Sequence, residues 1–400
     1  MLRDWPLYRT LLRIPNVRTL ALTQFLTSLI FYSTVIVAFE QSRGLDYTQM
    51  FLLESALAAA ILLFEVPTGL LADRWGYRRM LILGQGLFAM GSLLYVFAYG
   101  FWMFALASFL YGIGLACLSG CDSAMLYESL PPDDRERLGT AGFSLTGAAA
   151  SAGFFCGLTA GSFLGSVSLV LPVAATAVPM VLAWLVSFRL RPVDAAPDPS
   201  SEETPTSLSM LGSAFQLIRR EPALAGLRVL SSASFAIINA VLWYNQPFFA
   251  RAGIPVLWFG PLTAAAMAMR TLVAVQAPQA ERRLGARGTV VVACLVPGLA
   301  WVALAGVQAP VGVALLVAAV VAGGSWGGPV ISKLVNSRID NGARATTLSA
   351  LSLLGNIMGL GLNPLIGWAG DLGLSYAGLG LGGAMLLLAG AAFFLVRKPT

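Results

Sequence analysis

Gly69-Leu70-Leu71-Ala72-Asp73-Arg74-Trp75-Gly76-Tyr77-Arg78-Arg79 lies between two long apolar runs and concentrates charge in a chain where charge is scarce. A weaker copy follows at Ala280-Glu281-Arg282-Arg283-Leu284-Gly285-Ala286-Arg287-Gly288, displaced by 208 to 209 positions. Leu126-Tyr127-Glu128-Ser129 answers Leu334-Val335-Asn336-Ser337 at an offset of 208, and Ser144-Leu145 answers Ser352-Leu353 at the same offset. Separated segments that share one displacement indicate a duplicated chain whose halves run in parallel, a plan on which many membrane transporters are built.

Composition places the chain in lipid. Of 400 residues 57% are hydrophobic and 11% charged, against roughly 25% charged in soluble domains, and the mean hydropathy is +0.78. A helix needs roughly 20 apolar residues to cross the hydrocarbon core, and only helices and closed barrels satisfy every backbone amide there. Twelve such spans can be drawn. They include Thr19–Phe39, Met50–Ala72, Phe101–Met125, Gly139–Leu164, Leu257–Ala277, Val311–Ile331 and Thr346–Gly367 as the first, second, fourth, fifth, eighth, tenth and eleventh. The predicted fold class is an all-α integral membrane protein of twelve transmembrane helices in two pseudo-symmetric six-helix bundles.

Lys and Arg orient these spans by the positive-inside rule. With the N-terminus cytoplasmic, 21 of the 25 basic residues fall on the inner side and only Arg43 and Arg251 outside; Arg228 and Arg270 lie within spans. Both termini are therefore expected in the cytoplasm, with the chain in a bacterial-type inner membrane. The same distribution argues against nucleic acid as a partner, because the charge is spread over short loops with no basic stripe. Met1 to Arg18 lacks an apolar run followed by a cleavage site and reads as an amphipathic lead-in. Cys117, Cys121, Cys156 and Cys294 all fall in apolar spans; Cys117 and Cys121 share a helix face but lack His or acidic partners at ligand spacing, so the four read as small buried hydrophobes and no metal site is expected.

The longest polar interval, with Pro192, Pro197, Asp198, Pro199, Glu202, Glu203 and Pro205, separates six spans from six. It divides the chain into an N-terminal bundle at 1–190, a cytoplasmic linker at 191–222 and a C-terminal bundle at 223–400. Leu208, Leu211, Phe215 and Ile218 within the linker have the spacing of a short helix on the membrane face.

Gly69, Asp73, Arg74, Gly76, Arg78 and Arg79 fill every defining place of a Gly-x-x-x-Asp-Arg-x-Gly-x-Arg-Arg loop between the second and third helices. In this the chain resembles the major facilitator superfamily, and the 6+6 plan extends the resemblance over essentially its whole length. The resemblance implies a central cavity that opens alternately to either side, lined by helices one, four, seven and ten. It also implies that Asp73 latches onto the amino end of the eleventh helix, near Arg344, Thr346 and Thr347, when the inner face is closed; assembly and topology are the other reading of this loop.

Charged residues in or near the spans have two readings each. Asp122 and Glu128, at the inner end of the fourth span, can pair with Arg74 or Arg78, or Asp122 can form an inner gate with Lys333. Ser108, Tyr111, Leu115, Ser119 and Asp122 fall on one helical face by the i, i+3, i+4 rule, a face that would look into the central cavity. Arg270 lies in the eighth span among Met267, Ala268, Met269 and Leu272, where a cation must be paired or hydrated. It either pairs with Glu54 or Glu65 or binds an anionic or carbonyl-bearing substrate. Glu54 and Glu65 are also the candidates for proton coupling in a chain without histidine.

Gln24, Ser28 and Tyr32 on the first helix, Tyr111 on the fourth, Asn239, Trp243 and Gln246 on the seventh, and Trp326 on the tenth are the cavity candidates, alongside Arg270. They suggest an aromatic, partly apolar pocket suited to amphiphilic cargo. Gly153, Gly157 and Gly161, and Gly355 and Gly359, are small-residue seams for close helix packing. No Walker-type phosphate loop is present, so no cofactor is expected beyond the proton gradient as energy source. The expected activity is secondary transport of a small organic molecule by a monomer among membrane lipids, proton-coupled and directed to export of amphiphilic or drug-like compounds. Drug-exporting relatives carry Arg-x-x-x-Gly in the fourth helix and Gly-Pro in the fifth; here Ser108 and Leu110 precede Gly112 and Gly114, and the fifth has no proline. Transport of an anionic metabolite or a siderophore-like metal chelate held by Arg270 is the alternative. A membrane enzyme or sensor is a remote one, since no convergent catalytic cluster is apparent.

Overall fold

A computed structural model describes residues 5–193, 219, 221–337 and 344–396, and all regular structure among them is helical. Eleven helices are long and apolar enough to cross a membrane, and a bent pair at the start makes twelve spans if it is counted as one. The expected linker helix from Leu208 lies outside the described residues. The chain divides into two compact units, Met1–Gly44 with Ala56–Thr204, and Leu45–Ser55 with Pro205–Thr400. Residues 45–55, which the sequence places in the N-terminal bundle, thus pack in the second unit.

In the first unit, α1 (Trp5–Arg13) leads into α2 (Pro15–Thr27), which starts on Pro15, a residue suited to a first helical turn. Leu11 is fully buried among Val17, Leu126 and Leu138, so the amphipathic lead-in is anchored by its apolar side. The first span is not the continuous helix expected from Thr19 to Phe39. It breaks after α2 into a 3-10 turn, Phe31–Thr34, before α3 (Ile36–Ser42), with a bend of 60°.

Backbone amides freed by such a break must find other acceptors in lipid. Phe31 N and Tyr32 N donate to Thr176 Oγ1 at 3.0 and 3.4 Å, and the Ser33 hydroxyl donates to Ile30 O at 2.9 Å. The break rests on α8 (Arg135–Val167), where a Cβ at Gly157 would stand 2.9 Å from Ile30 N, and one at Gly153 or Gly161 would collide with Phe25 O or Phe31 O.

Then come α4 (Tyr47–Trp75), α5 (Tyr77–Phe97), α6 (Gly100–Leu118), α7 (Cys121–Glu128) and, after α8, α9 (Val170–Ser187). The fourth span is interrupted at Ser119 and Gly120, the latter at φ +75°. The helical face expected to run from Ser108 to Asp122 therefore ends with α6. Cys117 and Cys121 are buried in the core, but Cys156 is exposed, contrary to expectation.

The second unit holds α10 (Pro222–Arg251), α11 (Phe259–Ala274), α12 (Ala277–Gly306), α13 (Pro310–Gly323), α14 (Gly327–Asn336), α15 (Arg344–Asp371) and α16 (Leu374–Leu395). Its core is aromatic: Trp301, fully buried, meets Tyr244 edge-on at 5.8 Å and Phe248 at 6.0 Å. The tenth span is interrupted by a 3-10 turn at Gly324–Trp326, close to the place where the fourth is interrupted in the first unit.

The duplication is visible in the backbone. Gly76 (φ +82°, ψ 152°) and Gly285 (φ +71°, ψ 167°) have nearly the same conformation at equivalent turns, as Gly44 and Gly253 share φ of +92° and +72°. The first pair occupies a region essentially closed to side chains, at a cost of about 1–3 kcal/mol. Gly76→Ala and Gly285→Ala are therefore each expected to lower the thermal midpoint in detergent. Gly139→Ala, within α8 and with no atom within 4 Å of the added Cβ, should leave it unchanged or raise it.

Candidate functional site

The second unit contains a cavity of about 370 Å³, within the range of roughly 300–1,000 Å³ usual for small-molecule sites. α10 contributes Ser231 and Asn239, α11 contributes Arg270, and the 3-10 turn contributes Ser325. The rest of the wall is mostly apolar, with Phe235, Ile238, Val290 and Val321. The tenth span unwinds here because Gly323-Gly324 and Gly327-Gly328 flank Ser325-Trp326, and glycine is the weakest helix former after proline. The Trp326 indole donates to Val273 O at 2.9 Å, which pins the turn to α11.

Arg270 lies four residues before the end of α11, half-buried, and has no hydrogen bond or ion pair among the described residues. The proposed pairing with Glu54, in the same unit, is not found among the described residues. Other arginines of this unit behave differently. Arg228 Nε donates to Leu351 O at 2.8 Å, while Arg251 caps the end of α12 through Leu304 O and Ala305 O and reaches Ser375 Oγ at 3.2 Å. Those two guanidiniums hold helices together. Arg270 instead lines the cavity that also holds the Ser325 hydroxyl, buried and without a partner among the described residues.

Of the remaining candidates in this unit, Asn239 lines the cavity and donates to Phe235 O at 2.8 Å, its own helix. Trp243 packs on Phe51 at 6.0 Å and Gln246 is buried; neither lines the cavity. Lys333 donates to Glu281 Oε1 at 3.0 Å. Ser231 and Ser325 were missed by the sequence reading; the only signal for Ser325 was the glycine pair on each side of it.

In the first unit, Gln24 Nε2 donates to Asp122 Oδ2 at 3.2 Å, and Tyr32 stacks on Tyr95 at 5.4 Å. Ser28 closes α2 at the break and Tyr111 lies 5.5 Å from Phe88. Glu128 pairs with Arg135 at 2.6 Å, not with the expected Arg74 or Arg78. Arg78 donates instead to Leu190 O at 2.6 Å and Phe188 O at 3.2 Å, capping the end of α9, where a cation meets the negative end of the helix dipole. Asp73, Arg74 and Arg79 are exposed, and Asp73 makes no hydrogen bond among the described residues. The side chains of Arg344 and Thr346 lie outside the described residues. Glu65 is exposed, whereas Glu54, in the part of α4 that packs in the second unit, is half-buried and without a hydrogen bond among the described residues.

The family model described as Major Facilitator Superfamily matches residues 20–361. The chain belongs to the Major Facilitator Superfamily. It is thus an integral membrane transport protein and not an enzyme. No curated protein matches it in sequence at a significant level. Among solved structures, a variant of the nucleoside transporter NupG is similar with a TM-score of 0.81 at 16% identity, over 95% of this chain and 100% of that one. A variant of the peptide transporter POT is similar with a TM-score of 0.68 at 19% identity, over 94% and 93% of the two chains. A bacterial homologue of the human lysosomal transporter Spinster gives 0.66 at 18%, over 94% of each. At these identities the likeness is one of superfamily fold.

Proposed function

We propose that this chain is a secondary active transporter, coupled to the proton gradient, whose cargo is a small organic solute with an anionic or carbonyl-bearing head and an apolar body. The observation that carries this reading is Arg270, a cation lining a mostly apolar cavity with no protein partner among the described residues. An uncompensated charge at membrane depth is costly and marks a functional site. A guanidinium offers a planar fork that matches a carboxylate, and the unpartnered Ser325 hydroxyl offers one more donor. One structure of this fold, a POT family transporter, was solved with 5-aminolevulinic acid, a molecule that carries a carboxylate, though with a polar body.

Glu54 is the better placed of the two acids proposed for coupling, since it is half-buried and unbonded among the described residues whereas Glu65 is exposed. The basic residues support an inner-membrane orientation with both termini cytoplasmic. A second reading, export of a drug-like amphiphile, draws on the apolar wall of the same cavity. Flux into proteoliposomes under an imposed pH gradient separates the two. Movement of carboxylates that stops on adding a protonophore is expected, whereas movement of cationic amphiphiles alone would replace the first reading by the second.

A further inference from the structure

The start of α4 has a complete hydrogen-bond account, and half of it comes from far away in the chain. A helix opens with four N–H groups that lack intrahelical acceptors. Asp46 N donates to Gln49 Oε1 at 3.2 Å and Gln49 N to Asp46 Oδ1 at 2.7 Å. The other two belong to Tyr47 and Thr48. They donate at 2.8 and 3.0 Å to the two oxygens of Asp371, the last residue of α15, and the Thr48 hydroxyl donates to the same carboxylate. A carboxylate against a helix N-terminus is favoured by both hydrogen bonding and the helix dipole.

The surroundings are built for close approach. Tyr47 and Phe51 stack on Tyr244 at 5.4 and 5.7 Å, and the Tyr244 hydroxyl donates to Ile366 O at 2.7 Å. One helical turn further, the Ser55 hydroxyl donates to Leu360 O at 3.3 Å. A Cβ at Gly367 would stand 2.6 Å from Tyr47 O, and one at Gly370 would strike the Tyr244 hydroxyl. Beyond Ser55 the same helix packs in the first unit, so this seam fastens one end only. Asp371 is exposed, and water can replace its bonds when the seam parts.

We propose that Asp371 is a releasable latch: it fastens residues 45–55 of α4 to α10 and α15 in one state of the transport cycle and lets them go in the other. Asp73 lies near the opposite end of α4. α4 and α15 have nearly equal lengths, 29 and 28 residues, and each carries an aspartate at its C-terminal end. Asp371 is engaged here.

The test needs no cargo. Nitroxides are attached through Gln41→Cys and Tyr376→Cys, both exposed positions, in protein whose four native cysteines are replaced by alanine, and double electron–electron resonance distances are measured in lipid nanodiscs. Asp371→Ala is expected to lower the ratio of short-distance to long-distance populations by roughly fivefold or more, the scale of a charged helix cap. Thr48→Ala, which removes only the hydroxyl bond, should shift it the same way by less, and Asp73→Ala should shift it the other way. An unchanged distribution in Asp371→Ala, or a shift toward the short distance, overturns the latch. If Asp371→Ala is not recovered as a monodisperse protein, Thr48→Ala decides by the same criterion. Because the readout is a distance, failure here leaves the Arg270 reading untouched, and failure of the flux assay leaves the latch untouched.

Discussion

Arg270→Ala is expected to raise the half-saturating concentration for carboxylate cargo by about 30-fold or more while leaving the thermal stability of the protein unchanged or higher. Truncating one partner of a desolvated, hydrogen-bonded charge pair costs about 2–5 kcal/mol, and every 1.4 kcal/mol is tenfold. The stability half of the expectation separates a cargo ligand from a structural cation. Arg228 and Arg251 donate to backbone carbonyls of neighbouring helices, so Arg228→Ala and Arg251→Ala should unfold at lower temperature. Arg270 has no such bond among the described residues, and its removal relieves the cost of holding a cation in the span.

Two graded variants sharpen the result. Arg270→Lys keeps the charge but loses the planar fork and should fall between wild type and alanine. Ser325→Ala should weaken binding by about tenfold, the worth of one hydrogen bond to a charged group at the lower end of its range. Scintillation proximity binding on purified protein with a panel of radiolabelled carboxylates gives the affinities, and differential scanning fluorimetry gives the midpoints. Carboxylate affinity equal to wild type in Arg270→Ala would end the proposal, and so would a large fall in stability, which would make Arg270 a structural cation.

Much of this was legible in the sequence for a simple reason. Lipid forces apolar runs of fixed length and confines charge to loops, so the spans, the basic face and the repeated loop around Asp73 and Glu281 can be read directly. Backbone detail inside a span is another matter. An apolar run looks the same whether its helix is continuous or broken, because a break is tolerated wherever protein groups take over the freed amides. Thr176 does this for the first span and the glycines of α8 let the backbones approach, and they are more than 100 residues away in the chain. The same blindness let the fourth span be drawn as one face through Gly120, where the backbone turns at φ +75°. Arg270 was visible as an anomaly of composition, but its partner, or the lack of one, is a fact of packing. The placement of Leu45–Ser55 in the second unit could not be read from the sequence, since no loop marks Ser55 within α4.

The glycine seam under the broken first span should be the most sensitive packing site in the first unit. Gly161→Ala would drive a methyl into Phe31 O, a backbone atom that cannot rotate away, and Gly153→Ala would do the same to Phe25 O. Overpacking commonly costs about 1–3 kcal/mol where side chains can yield, so about 3 kcal/mol or more is expected here, seen as a fall of about 5 °C or more in the midpoint. Gly147→Ala, on the same helix with open space around its Cβ, is the control and should not fall. Thr176→Val keeps the shape but removes the acceptor of Phe31 N and Tyr32 N, at about 1–3 kcal/mol for buried donors left unmet. Both changes act by displacing the same 3-10 turn, so Gly161→Ala with Thr176→Val should lose less than the two single losses together, as coupled neighbours do. Strict additivity would mean that the turn does not move as a unit, and an unshifted Gly161→Ala would mean that α8 and the first span can separate freely at this point.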